Sequence, residues 1–72
     1  MLIILEDATM LEFDETKYFK SFAANGARQF VLKPEFASCN RATKIVINYA
    51  NKMYYEEFAD GHPRRLKFTE AI

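Results

Sequence analysis

The chain has 72 residues, half of them hydrophobic and 15% aromatic, and its ten basic residues balance ten acidic ones. That length holds one domain near the lower limit at which a hydrophobic core offsets chain entropy, and the apolar content is too high for a disordered segment. Zero net charge removes the simplest electrostatic argument for nucleic acid or an anionic membrane, and a single cysteine with a single histidine makes neither an internal disulfide nor a zinc ligand set.

A single compact domain over residues 1–72, stabilised by association and most simply by forming a homodimer, is therefore expected. The charges are unevenly placed: Glu6, Asp7, Glu12, Asp14 and Glu15 precede the first basic residue, and Arg64, Arg65 and Lys67 lie near the end. Solvated faces account for most such clusters.

Leu2 to Leu5 (LIIL) is a short apolar run that reads as a buried strand or the start of a hairpin. It is too short for a signal-peptide core and far short of the ~20 residues that span a bilayer, so a cytoplasmic protein without a membrane partner is expected. Asp7 and Ala8 then turn the chain, and Thr9 to Phe13 returns as a second strand. Thr9 with Glu12 could instead be a capping box opening a helix. The hairpin is preferred, because acidic residues at 12, 14 and 15 interrupt a helical stripe.

Glu15 to Ala24 reads as a helix. Asp14 is a good N-cap, Tyr18, Phe19, Phe22 and Ala23 form an apolar stripe suited to a core, and Asn25-Gly26 supplies the stop. Arg28 to Lys33 reads as a strand with Phe30 and Leu32 on one side, and Pro34 after it suggests a sheet edge. Glu35 to Ala42 shows no period and reads as a loop.

Lys44 to Phe58 admits two readings. As a helix, Ile45, Val46, Tyr49, Ala50 and Met53 share a face, although Ile47 falls on the polar side and Ile45-Val46-Ile47 is a β-branched run. As a hairpin, Thr43 to Tyr49 turns Ile45, Ile47 and Tyr49 to the core, and Met53 to Phe58 returns with Met53 and Tyr55 on one face. Phe58 joins that face only through a bulge at Glu56-Glu57. The hairpin is preferred. Asp60-Gly61 is a further turn, and Arg64 to Thr69 forms a last strand with Leu66 and Phe68 inward. The fold class expected is α+β: an antiparallel or mixed sheet of about four to six short strands packed on one helix over 15–24.

Any nucleophilic chemistry would have to pass through His62, with Cys39 and Asp60 as the only candidates to join it, and a turn histidine beside an incidental thiol is the simpler account. The paired carboxylates Asp14-Glu15 and Glu56-Glu57 diverge on either kind of element, and there is no glycine-rich phosphate loop or metal-ligand spacing. No catalytic residue, cofactor or metal is assigned, and the protein is not read as an enzyme.

Binding is the better candidate. Tyrosine, methionine, phenylalanine and arginine are enriched at interface cores, and Tyr49, Met53, Tyr54, Tyr55, Phe58, Arg64 and Arg65 supply that mixture close together. The expectation is a small noncatalytic interaction or regulatory protein that meets a protein partner, or a second copy of itself, through an aromatic surface around 49–58. The alternative is nucleic-acid binding, with exposed tyrosines stacking on bases while Lys44, Lys52, Arg65 and Lys67 hold phosphates.

Overall fold

Segments rich in β-branched and aromatic residues with period-two alternation become strands throughout this chain. The computed structural model describes residues 1–37 and 41–72, with Ala24 described by its backbone. It contains β1 (Leu2–Leu5), β2 (Met10–Glu12), β3 (Phe19–Ala24), β4 (Ala27–Leu32), β5 (Lys44–Asn48), β6 (Met53–Glu57) and β7 (Arg64–Ala71), with a 3-10 turn over Pro34–Phe36. The seven strands make one antiparallel sheet in the order β2-β1-β7-β6-β5-β4-β3. The fold is therefore nearly all-β, which overturns the α+β expectation. Among the described residues there is no α-helix, and so none long and apolar enough to cross a membrane.

The expected helix over 15–24 is the main correction. Asn25 and Gly26 have φ of 47° and 78°, and Ala24 pairs with Ala27 across them. Two successive positive φ values in a two-residue loop define the turn that joins antiparallel strands, so Asn-Gly here closes a hairpin and does not stop a helix. Asp14 behaves as a cap would, its Oδ1 accepting the N–H groups of Thr16 at 3.0 Å and Lys17 at 2.9 Å. The same motif serves isolated turns, and here it rounds the corner into β3.

The hairpin expected at 44–58 is present as β5 and β6, paired from Lys44↔Glu57 to Asn48↔Met53 without a bulge. Its facing differs by one residue from the expectation. Tyr54 and Glu56 lie opposite Ile47 and Ile45 and are buried, so Phe58 joins their face by simple alternation, while Met53 and Tyr55 point outward. Nor is this hairpin, or β4, at an edge. β4 is flanked by β3 and β5, and Pro34 lies beyond its end, where no ladder hydrogen bond is lost.

The core occupies one face of the sheet: Ile3 and Leu5 from β1, Phe19, Phe30, Ile45 and Ile47, Tyr54 and Phe68, with Ala42. A single sheet buries a face only if something covers it, and with no α-helix among the described residues the sheet covers itself by curling. Phe13, just beyond β2 at one end of the strand order, packs edge-on against Phe19 and Phe30 near the other end, with ring centroids 5.6 and 5.2 Å apart. β7 closes the arrangement by pairing with β1, with a register shift between Ile4 and Leu5.

The β1–β2 loop stores a small strain. Ala8 has φ 70°, its N–H donates to Leu5 O at 3.0 Å, and Leu5 N–H donates to Thr9 O at 2.8 Å. A three-residue hairpin loop of this kind favours glycine at its left-handed position, where an L side chain costs about 1–2 kcal/mol. Ala8→Gly is expected to stabilise the protein by about 1 kcal/mol, a rise of roughly 4–8 °C in Tm for a domain of this size. Thermal unfolding followed by circular dichroism checks it, and an unchanged or lower Tm would show that the loop tolerates alanine without strain.

Candidate functional site

Strand register sorts the described side chains of β3 to β7 onto two faces. One row across the outer face runs Phe22, Gln29, Val46, Tyr55, Arg65, each opposite the next on the neighbouring strand. The adjoining rows carry Lys20, Val31, Lys44 and Glu57 on one side and Asn48, Met53 and Lys67 on the other. Apolar and aromatic groups thus form a stripe across the sheet, with Lys20, Lys44, Arg65 and Lys67 around it and Glu57 as the acidic member.

Tyr55 is the centre of this face. The Arg65 guanidinium lies 5.1 Å from its ring centroid, a cation–π contact, and its hydroxyl donates to Glu57 Oε1 at 2.6 Å. That hydrogen bond, which favours the protonated phenol, is the first cause raising the Tyr55 pKa above its ordinary value. Val46, Asn48, Asn51, Met53 and Arg65 line a shallow hollow beside the ring, about 340 Å³ in volume. Asn48 also holds the β5–β6 turn, its Oδ1 accepting the N–H groups of Ala50 at 3.0 Å and Asn51 at 3.3 Å.

The structure disperses the residues grouped by the sequence. Met53, Tyr55 and Arg65 share the outer face. Tyr54 is 3% exposed and belongs to the core, so its ring cannot meet a partner directly. Phe58 packs partly against that core, and Tyr49 is exposed and stands edge-on to Phe68, with ring centroids 6.5 Å apart. Lys44 and Lys67 join the outer face, whereas Lys52 sits in the β5–β6 turn with φ 56° and donates from Nζ to Thr69 O at 3.4 Å. Sequence reading missed Phe22 and Val46. Phe22, assigned there to a helical core stripe, is 53% exposed. The signal that could have found it is Asn25-Gly26, because a hairpin turn there puts Phe19 and Phe22 on opposite faces.

Arg64 is taken up internally. It lies opposite Glu56 on the core face, its Nε donating to Glu56 Oε1 at 2.6 Å with a second contact from its terminal nitrogen. Tyr54 Oη donates to the other carboxylate oxygen, Oε2, at 2.9 Å. Glu56 is 6% exposed, so both oxygens of a buried carboxylate are satisfied by these two groups, as a buried charge requires. Burial first, and then the adjacent Glu56 charge, push the Tyr54 phenol far above its ordinary pKa.

His62 is exposed in the β6–β7 turn, where its N–H donates to Asp60 Oδ1 at 3.3 Å. Cys39 lies outside the described residues. Among the described residues no group of three or more His, Cys, Asp or Glu side chains could hold a metal ion. Compared with models of known protein families, with characterised proteins and with solved structures, the chain matches none.

Two outcomes follow from the Glu56 cluster. Arg64→Ala leaves a buried carboxylate with one donor and is expected to destabilise the protein by about 2–3 kcal/mol, below most of the ~3–5 kcal/mol range for breaking a fully buried pair because the Arg64 side chain is half exposed. Urea denaturation measures it, and a loss within ~0.5 kcal/mol, the scale of an ordinary surface substitution, would mean that water replaces the guanidinium. The Tyr54 phenol, with its folded pKa raised, contributes stability that is complete below the ordinary tyrosine pKa and is lost as pH rises above it. A titration of tyrosinate absorbance should therefore show Tyr54 ionising late and together with unfolding. Ionisation of all four tyrosines near the ordinary value, with the fold intact, would contradict it.

Proposed function

We propose that this protein is a small noncatalytic binding module whose contact surface is the outer face of the sheet around Tyr55. The observation that carries the reading is the Tyr55–Arg65 pair, a rigid aromatic ring with a guanidinium over it, set beside the Val46–Met53 hollow on strands whose backbones are fully paired. Aromatic and arginine side chains on a rigid support are the residues that carry binding energy at interfaces, because little conformational entropy is lost when they are covered. Around Tyr55 the cations Lys20, Lys44, Arg65 and Lys67 outnumber the carboxylate of Glu57, which favours an acidic protein partner. The compartment proposed for this contact is the cytoplasm, where a lone thiol such as Cys39 stays reduced.

A nucleic-acid ligand is the second reading, favoured by the placement of Lys20, Lys44, Arg65 and Lys67 around Tyr55 and Phe22 on one face. Stacking on the two rings with phosphates held by the cations would be sequence-tolerant and steeply salt-dependent.

Tyr55→Ala and Arg65→Glu are each expected to abolish capture of a partner that the wild-type chain retains after nuclease treatment, while lowering stability by about 1 kcal/mol or less. Tyr54→Ala, by contrast, should cost about 3–5 kcal/mol and unfold much of the protein. Affinity capture with mass-spectrometric identification, alongside circular dichroism of each variant, makes the comparison. Partners retained equally by wild type, Tyr55→Ala and Arg65→Glu would remove the outer face from the interaction. Capture that vanishes with nuclease, together with anisotropy changes on a single-stranded oligonucleotide that weaken with salt, would select the second reading.

A further inference from the structure

The two edges of the sheet differ. β2 has three residues and ends at Glu12, a short strand with a charge, which is how proteins guard an edge. β3 has six residues in unbroken register with β4, no proline and no bulge, and Ser21, Phe22 and Ala23 are all exposed. Lys20 is its one charge.

The free backbone groups on this edge can be assigned. Lys33 N–H donates to Tyr18 O at 2.8 Å, and Ala24 pairs with Ala27 across the two-residue turn, so even-numbered residues of β3 direct their backbone groups to β4. Ser21 and Ala23 direct theirs outward. Among the described residues, no backbone group outside β4 meets either of them.

We propose that two copies of this protein pair their β3 strands antiparallel about a two-fold axis normal to the sheet, with Phe22 opposite Phe22 of the second copy. In this register Ser21 of each copy lies opposite Ala23 of the other, and each such pair exchanges both backbone hydrogen bonds through the outward-directed groups assigned above. Phe22 then forms a non-hydrogen-bonded pair, the position at which facing side chains approach most closely, so the two half-exposed rings cover one another. Charge disfavours the registers centred nearer Lys20. Lys20 falls opposite position 24, and the two lysines stand about 13 Å apart along the strands, beyond a Debye length of about 8–10 Å. Centring the pair on Lys20 would place like charges face to face, and centring it on Ser21 would leave them roughly 7 Å apart along the strands. The contact also joins the Phe22-to-Arg65 row of one copy to that of the other.

An edge pair with one aromatic contact covers less area than a standard interface, so half-dissociation on the order of tens of micromolar is expected. Sedimentation equilibrium of the full chain from about 1 µM to 1 mM spans that range. The expected result is a monomer–dimer equilibrium in the wild type, weakened at least about tenfold in Phe22→Lys and in Phe22→Glu and restored in an equimolar mixture of the two, where opposite charges replace the facing rings. In the wild type, the amides of Ser21 and Ala23 should gain protection from hydrogen exchange as concentration rises. A wild type that stays monomeric throughout overturns the proposal. So does a Phe22→Lys dimer as strong as wild type, or a mixture that stays monomeric while both variants keep their strand circular dichroism.

Discussion

With no α-helix among the described residues, a single sheet must cover its own apolar face, and the rest of this structure follows from how it does so. The edge-on contact of Phe13 with Phe19 and Phe30 brings the two ends of the strand order together. Without that closure Ile3, Phe30, Ile45 and Ile47 would face water in a chain too short to supply a second layer. Within the sheet, strands far apart in sequence, β1 and β7, also pair. Once β7 lies beside β1, every strand but β2 and β3 has a neighbour on both sides, and the two that remain are the sheet's edges.

Burial of one face leaves the other for solvent or a partner. Among the described residues the one buried charged side chain is Glu56, neutralised by Arg64 and hydrogen-bonded by Tyr54. Such a cluster adds little net stability over an apolar core, but its loss is costly, because the carboxylate would be left without donors. Its geometric effect is to fix the phase of β6. With Tyr54 and Glu56 turned inward, Met53 and Tyr55 must face out, since successive strand residues alternate. The outward placement of Met53 and Tyr55 and the buried ion pair are thus two consequences of one register, and a slip of one residue would exchange them.

Much of the sheet was legible in the alternation of the chain. Phe30 with Leu32, Ile45 with Ile47 and Leu66 with Phe68 lie on the core side as their spacing indicates, and the turns at Asp7-Ala8 and Asp60-Gly61 fall where the turn residues stand. Two local signals were ambiguous for a physical reason. An aspartate accepting the next N–H groups serves a helix start and a free turn alike, and Asn-Gly ends a helix or closes a hairpin by the same left-handed backbone. The flanking Tyr18–Ala23 segment suits either element, so only its pairing with β4 decided between them.

By itself, then, the sequence determined where the chain turns and, outside residues 15–24, which alternating segments are strands, because these depend on backbone preference and on spacing between near neighbours. The tertiary structure alone decided the strand order, the closure by Phe13 and the phase of β6. Each rests on contacts between residues distant in the chain: Arg64 satisfying Glu56 across a strand pair, Leu5 opposite Phe68, and Arg65 beside Tyr55. A carboxylate inside a core is unfavourable on any local scale and becomes favourable only when a donor from another strand reaches it. The partner that makes Tyr54 a core residue and Tyr55 a surface one is therefore not written within the segment that contains them both.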